Sequence, residues 1–352
     1  MSQESAIAVV GLGYWGPNLL RNLVATVGGD RVVAVDSSVD RLAKACALYP
    51  AVAGARSLEE ALEKHDLLGV IVATPVRTHH ALARTALEAG CHVLIEKPFA
   101  ASTAEAEDLM RLAEAQTRHI VVGHTFLFSH RVERIRDYLT AGRLGKVQYV
   151  TSSRLNLGLH QSDISVIWDL APHDFSIIFH ILGESPISVS TSGRAVVRTG
   201  SPDVAFMNLS FPSGVVASVS VSWLAPSKAR NTIVVGDEQM LVYDDCDNEQ
   251  PLKLYDKGIV LSEPPGNFGE HQLTYRVGDM LAPHVPSREP LAREIEHFVA
   301  CCNGFPPAIS DSRFGLSVVT ALEAAERSWQ LGGAPVDVAE ARPRVEPELV
   351  VA

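Results

Sequence analysis

The chain has 352 residues, of which 47% are hydrophobic and 20% charged, and carries a formal net charge of −11 at pH 7. That length exceeds one ordinary core and suits two domains. The acidic balance, with no dense Lys/Arg cluster, argues against a nucleic-acid partner, and no apolar run approaches the ~20 residues of a membrane span.

Residues Met1–Ser5 are polar and precede no apolar run after a basic stretch, so no signal peptide is read and a cytoplasmic protein is expected. The five cysteines, Cys46, Cys91, Cys246, Cys301 and Cys302, form no CxxC. They read as buried thiols, not as a metal site or a disulfide framework. No HExxH and no tight His/Cys cluster calls for a metal.

In chain order, Ile7–Val10 is a short β-rich run that enters Gly11-Leu12-Gly13-Tyr14-Trp15-Gly16, and residues 17–27 follow a helical pattern. Strand, GxGxxG and helix in that order is the setting of a dinucleotide fingerprint. The glycines allow a tight turn and close approach to a pyrophosphate, which the positive helix end favours. Gly11, Gly13, Tyr14, Trp15 and Gly16 are therefore cofactor candidates. A second strand, Arg31–Val35, ends at Asp36, where an acid is expected to hold the ribose diol. A carboxylate there repels a 2′-phosphate and favours NAD; Arg41, close in sequence, leaves NADP open.

Val70–Ala73 reads as a buried strand ending at Thr74-Pro75, which are expected to line the cofactor. A helix follows from about His79 to Ala89. His79 and His80 open it and are expected on its solvated side, with His79 near enough to the strand end to join the cofactor candidates. Next come the strand His92–Ile95, ending in Glu96-Lys97-Pro98, a helix over 102–116, and the strand Ile120–Gly123. Short apolar strands alternating with amphipathic helices imply a doubly wound parallel sheet. Its ligands lie outside the carboxyl ends of the strands. Glu96 and Lys97 sit at such an end, and the residue before a proline is pushed toward extended backbone, so Lys97-Pro98 is a candidate cis peptide. His124 follows its strand either as a site residue or as a core histidine.

The GxGxxG turn, Asp36, the Ala-Thr-Pro strand end and above all Glu96-Lys97-Pro98 resemble the Gfo/Idh/MocA family of oxidoreductases, over most of the chain to about Trp329. The resemblance implies an N-terminal α/β Rossmann domain and a C-terminal α+β domain on an open, mostly antiparallel sheet. It also implies hydride transfer between NAD(H) and a ring alcohol or ketone of a sugar, nucleotide sugar or cyclitol. In the family the lysine of Glu-Lys-Pro touches the reacting oxygen; here that is Lys97. Members often carry an Arg-aromatic pair near 126–128, where this chain is apolar, so no substrate contact is carried over there.

The domain boundary is placed at 126/127, giving 1–126 for NAD binding and 127–340 for substrate binding and oligomerisation, with a return of the end of the chain to the first domain left open. A long strand over 146–155 puts Arg154 and Asn156 on one face, as substrate contacts or as outer-face polar residues. The run Val166–Asp174 enters a helix whose Pro172 fits a first turn, so the helix is expected to start near Asp169, a good N-cap type. Asp169 and His173 then share a side. The resemblance places such a pair beside the lysine, with His173 moving the proton, Asp169 tuning it and Lys97 holding the oxygen; Lys97 as the proton carrier is the competing assignment.

Strands follow over 189–197, 204–211, 215–221 and 231–235, with Pro264-Pro265-Gly266 and 283–290 as loops, and helices over 289–303 and 313–330. The resemblance further implies a homodimer or homotetramer through the C-terminal sheet. The run Trp223–Arg230 with Tyr243-Asp244-Asp245 looks like a nucleotide-sugar branch of the family. A dehydrogenase of another cyclic alcohol, such as a dihydrodiol, and a non-catalytic NAD or sugar sensor are the alternatives.

Overall fold

A computed structural model describes residues 5–158, 164–197, 199–261 and 273–339. The chain forms two compact units. The first holds residues up to Phe128 together with Arg288–Glu323, and the second holds Ser129–Ser287 together with a stretch beginning at Ala324.

The first unit alternates strand and helix. Its strands are β1 (Ala6–Val10), β2 (Val32–Val35), β3 (Ala53–Ala55), β4 (Leu67–Val72), β5 (His92–Glu96) and β6 (Ile120–Gly123). Its helices are α1 (Gly16–Val27), α2 (Val39–Leu48), α3 (Leu58–Lys64), α4 (His79–Glu88) and α5 (Thr103–Gln116). All neighbouring strands pair in parallel, in the order β3-β2-β1-β4-β5-β6. This is the dinucleotide-binding order, with its switch between β1 and β4. β3, α2 and α3 add to the elements expected from the pattern. The strands are buried nearly throughout, as parallel strands covered on both faces must be. Ser38, Ser57 and Ser102 cap α2, α3 and α5 by accepting a backbone N–H at the third helical position.

The second unit begins with α6 (His130–Thr140), β7 (Val147–Leu157) and α7 (Val166–Leu182). Seven strands follow: β8 (Ser188–Arg194), β9 (Val204–Ser210), β10 (Val216–Ser222), β11 (Leu224–Gly236), β12 (Met240–Asp244), β13 (Leu252–Leu261) and β14 (Leu273–Leu281). They form a nine-stranded sheet ordered β14-β13-β12-β11-β7-β10-β9-β8-β15, closed at one edge by the short β15 (Val336–Asp337). All described pairings are antiparallel except β7 with β10. Ala217, Val219 and Val221 of β10, and Met207 and Leu209 of β9, are buried on the face that α7 covers.

Two expectations change here. α7 starts at Val166, three residues before Asp169, so Ser165 rather than Asp169 is the N-cap residue and Pro172 lies inside the helix. β11 absorbs the run 224–230, and a register irregularity between Leu224 and Ala229 accommodates Pro226, which cannot donate to a ladder. The expected loop Pro264-Pro265-Gly266 and the end of the chain from residue 340 lie outside the described residues.

After β14 the chain returns to the first unit with α8 (Pro290–Cys302). Leu291, Ile295, Phe298 and Cys301 of α8 join the core built by α1 and strands β1, β2, β4 and β5. Of the two alternatives for the end of the chain, α8 follows the return to the first unit. Its apolar stripe fits the first sheet because Gly69 of β4 leaves room: a Cβ there would sit 2.8 Å from the Cys302 sulfur. Cys91, Cys301 and Cys302 are buried, whereas Cys46 is half-buried and Cys246 is exposed, so the buried-thiol expectation holds for three of the five. The last long helix is α9 (Ser312–Gln330).

Candidate active site

The carboxyl ends of β1, β4, β5 and β6 lie in register, with Val10 beside Val72, Val72 beside Ile95, and Glu96 beside Gly123. The turn after β1, Thr74-Pro75, Glu96-Lys97 and His124 therefore share one edge of the first sheet. At that edge the glycines of the turn have distinct tasks. Gly11 holds φ +95°, and a Cβ on it would lie 2.6 Å from the Ala73 carbonyl oxygen. At Gly16 a Cβ would lie 1.9 Å from the Gly11 carbonyl oxygen, so only glycine lets α1 start against the turn. Beside Gly13, by contrast, a Cβ would meet nothing within 4 Å, which leaves the backbone open to a close-approaching group.

α1 has no side-chain cap and no acid in its first turn. Its N-terminal dipole is thus left for an anion. Tyr14 and Trp15 flank this point, exposed by 83% and 44% and packed edge to face.

Asp36 is buried at the end of β2. Its Oδ2 accepts the Leu12 N–H at 2.7 Å, and its Oδ1 accepts the Ser38 N–H at 2.8 Å and the Arg41 guanidinium at 3.0 Å. Burial alone would raise its pKa. The Ser38 and Leu12 amides and Arg41 outweigh it and hold the carboxyl below its ordinary value. An ionised acceptor thus stands beside the fingerprint turn. The open approach at Gly13, the uncapped helix start and this carboxylate fit a dinucleotide: pyrophosphate at the turn, ribose diol at Asp36.

His79 overturns the solvated expectation. It is 1% exposed, and its two ring nitrogens face the carbonyl oxygens of Thr74 at 2.8 Å and Pro98 at 2.9 Å. The ring thereby ties the strand end after β4 to the one after β5; a strand-end tie of this kind has no local sequence signal. Burial lowers its pKa, and the two carbonyls act against that. His80 keeps partial exposure and pairs with Asp108 at 2.8 Å. The Thr78 hydroxyl donates to the Pro75 carbonyl at 2.7 Å and so accepts from the Thr74 hydroxyl at 2.7 Å.

Lys97 follows Glu96 directly, and the Lys97-Pro98 peptide is cis. Glu96 is buried, and its pKa is pushed up to about 7 by that burial against the opposing charge of Lys97. His124 is buried as well, and its pKa is drawn down to about 3 by burial and then by Lys97. The Ser310 hydroxyl donates to the Val122 carbonyl at 2.7 Å and so accepts from His124 Nδ1 at 2.8 Å. The proton of the neutral ring is therefore on Nδ1.

In the second unit, Asp169 lies in the first turn of α7, and His173 lies one turn on. Asp169 Oδ2 accepts the indole N–H of Trp223 at 3.1 Å. Trp223 is itself buried, and its backbone bonds Asp203 at 3.0 Å and Gly158 at 3.0 Å. Sequence reasoning missed this partner, which is 54 positions away. Arg154 is buried and committed to Asp174 through Nε at 2.7 Å, and Ser152 donates to the same carboxylate at 2.7 Å. Arg154 is thus a supporting residue under the sheet, not an exposed contact. Asn156, two residues on, is exposed near the end of β7.

Among the described residues, no cluster of three or more His, Cys, Asp or Glu is arranged to hold a metal ion. No helix there is long and apolar enough to cross a membrane.

A parallel sheet of this order, with a fingerprint turn, a ribose-type acid and a lysine on one edge, defines a dinucleotide-dependent oxidoreductase. The chain belongs to the Gfo/Idh/MocA family. A model of that oxidoreductase family's NAD-binding Rossmann fold matches residues 5–124, and one of its C-terminal domain matches residues 132–242. NAD is accordingly the cofactor. The chain is 30% identical to a UDP-N-acetylglucosamine 3-dehydrogenase of Acidithiobacillus ferrooxidans, over 89% of this chain and 93% of that one. A solved structure of a UDP-N-acetylglucosamine 3-dehydrogenase from that organism superposes with a TM-score of 0.75 at 27% identity, covering 93% of this chain and 99% of the other. A 1-carboxy-3-chloro-3,4-dihydroxycyclohexa-1,5-diene dehydrogenase of Comamonas testosteroni is 26% identical over 85% of this chain and 77% of its own length.

Proposed function

We propose that the protein oxidises a secondary alcohol on the ring of a sugar, nucleotide sugar or cyclitol with NAD, or reduces the matching ketone with NADH. The observation that carries this reading is Lys97, delivered by β5 to the edge that holds the fingerprint turn and Asp36. The near full-length likeness to a nucleotide-sugar dehydrogenase supports that branch of the substrate class.

Bound NAD supplies the hydride acceptor. The chain supplies the rest. Gly11, Gly13, Tyr14, Trp15 and Gly16 cradle the pyrophosphate, Asp36 takes the ribose diol, and Thr74 and Pro75 line the cofactor, with His79 fixing their strand end. Lys97 donates a hydrogen bond to the reacting oxygen and stabilises alkoxide charge as hydride leaves carbon. His173 accepts the hydroxyl proton, or returns it in reduction. Asp169, held by Trp223, orients and tunes His173. His124, at the end of β6, and Asn156 are the further polar candidates for substrate contact.

Tyr149, Phe206 and Val216 stand on one face of the second sheet and are exposed by 44%, 51% and 52%. These three apolar side chains, exposed among Ser218, Ser220 and Asn208 of the same face, favour self-association as a homodimer or homotetramer, and the protein is read as cytoplasmic. The dihydrodiol relative keeps a cyclic diol as the second reading of the substrate.

The test is NADH formation across UDP-N-acetylglucosamine, other nucleotide sugars, free sugars, inositols and a cyclic dihydrodiol. Turnover of a ring alcohol is the expected result. No turnover with any of them, alongside intact NADH binding, contradicts the reading and favours a sensor.

A further inference from the structure

Asp36, the ribose acid of the proposed cofactor site, already carries nearly all the hydrogen bonds it can accept. A carboxylate offers about four acceptor sites, two on each oxygen. The Leu12 N–H fills one on Oδ2 at 2.7 Å. On Oδ1 the Ser38 N–H lies at 2.8 Å, and Arg41 brings two more donors, Nη2 at 3.0 Å and Nε at 3.2 Å. Oδ1 is therefore full, and one site is left on Oδ2. A ribose diol donates two hydrogen bonds, so it competes with a donor already in place.

The two amides belong to the fold. Leu12 lies in the glycine turn after β1, and Ser38 is the N-cap of α2. Arg41 is the donor that can leave. Its side chain is 51% exposed, whereas that of Asp36 is buried. Its stem borders an open cleft between α1 and α2, beside Leu12, Leu20 and Ala45, which gives the guanidinium room to swing away. Arg41 also stands in the first turn of α2, where the helix dipole disfavours a cation. The ion pair with Asp36, not the helix, holds it there. The cation across from it, Arg56, is turned to the Ser37 carbonyl.

We propose that Arg41 is a displaceable latch on Asp36 that sets the choice of cofactor. The ribose diol of NAD pushes the guanidinium off the carboxylate. NADP brings a 2′-phosphate instead, which Asp36 repels and Arg41 attracts, and the guanidinium fork matches a phosphate in geometry as well as in charge. One side chain thus weakens NAD binding and keeps NADP binding possible. An ion pair with one exposed partner contributes little, so the latch tunes the affinity for NAD without blocking it. The proposal rests on the assignment of the ribose diol to Asp36.

The test measures Kd for NADH and for NADPH by fluorescence titration of the full-length protein. Four forms are compared: wild type, Arg41→Met, Asp36→Asn and the double variant. Arg41→Met keeps an apolar stem and removes the fork. NADH should bind it about two- to fivefold tighter, the range that a weak ion pair spans. NADPH should bind it roughly tenfold weaker, through loss of a charge-assisted bond to phosphate. Asp36→Asn removes both the repulsion and the hold on Arg41, so NADPH should tighten roughly tenfold while NADH weakens. Adding Arg41→Met to Asp36→Asn should cancel that gain, because the two residues act as a pair. If Arg41→Met fails to tighten NADH, or leaves NADPH unchanged, the proposal is overturned. A double variant that keeps the full NADPH gain overturns it too. If Asp36→Asn leaves NADH affinity unchanged, the ribose assignment itself falls and takes the latch with it. Turnover enters none of these measurements, so the hydride-transfer reading stands or falls separately on the substrate panel.

Discussion

Asp169 accepts the indole N–H of Trp223, and that bond is where its orientation can be tested. Trp223→Phe keeps a ring in the buried position and removes the donor, together with part of the indole volume. A neutral hydrogen bond contributes about 1 kcal/mol, so kcat should fall roughly five- to tenfold. NADH binding, measured by fluorescence, should not change. An unchanged kcat would mean that Asp169 does not depend on Trp223. The placement of the glycine turn, Asp36 and Lys97 at one sheet edge was legible because its signals are local: glycines at fixed spacing, an acid at the next strand end, a lysine before a proline. Trp223 was not legible, since the bond spans 54 positions and a tryptophan in a β-rich run reads as core. His79 failed for the same reason. Its partners are two carbonyls at the ends of different strands, and two adjacent histidines at a helix start carry no sign of which one turns inward.

At the scale of elements, α8 shows how a helix distant in sequence completes the first sheet. The contact depends on Gly69, where a Cβ would stand 2.8 Å from the Cys302 sulfur and 3.0 Å from the Phe298 ring. Gly69→Ala should therefore lower stability by about 1–3 kcal/mol through overpacking, read as a lower thermal midpoint with NADH present and absent. An unchanged midpoint would show that α8 shifts freely on the sheet. The parallel strands were readable from sequence because each is a short apolar run buried on both faces. The stripe of α8 was readable too, but a stripe does not say which sheet it covers. The start of α7 was misplaced because Pro172 and Asp169 each signal a helix start, yet the helix begins with the apolar turn Val166–Trp168 before them.

The whole molecule is two units threaded discontinuously, the first completed by chain that follows the second. The strand and helix alternation stops near 126, whereas the composition does not change where α8 returns, so from the sequence that return was an open alternative and not an assigned element. Family membership fixes an NAD-dependent oxidoreductase, and the account built on it turns on one side chain. The most direct measurement is Lys97→Met, with turnover of the ring alcohol found in the substrate panel and NADH affinity determined on the same preparation. Loss of a lysine that stabilises alkoxide charge should reduce kcat by roughly 10²–10³ while NADH binding is kept. Retained turnover, or turnover lost together with NADH binding, would contradict the account.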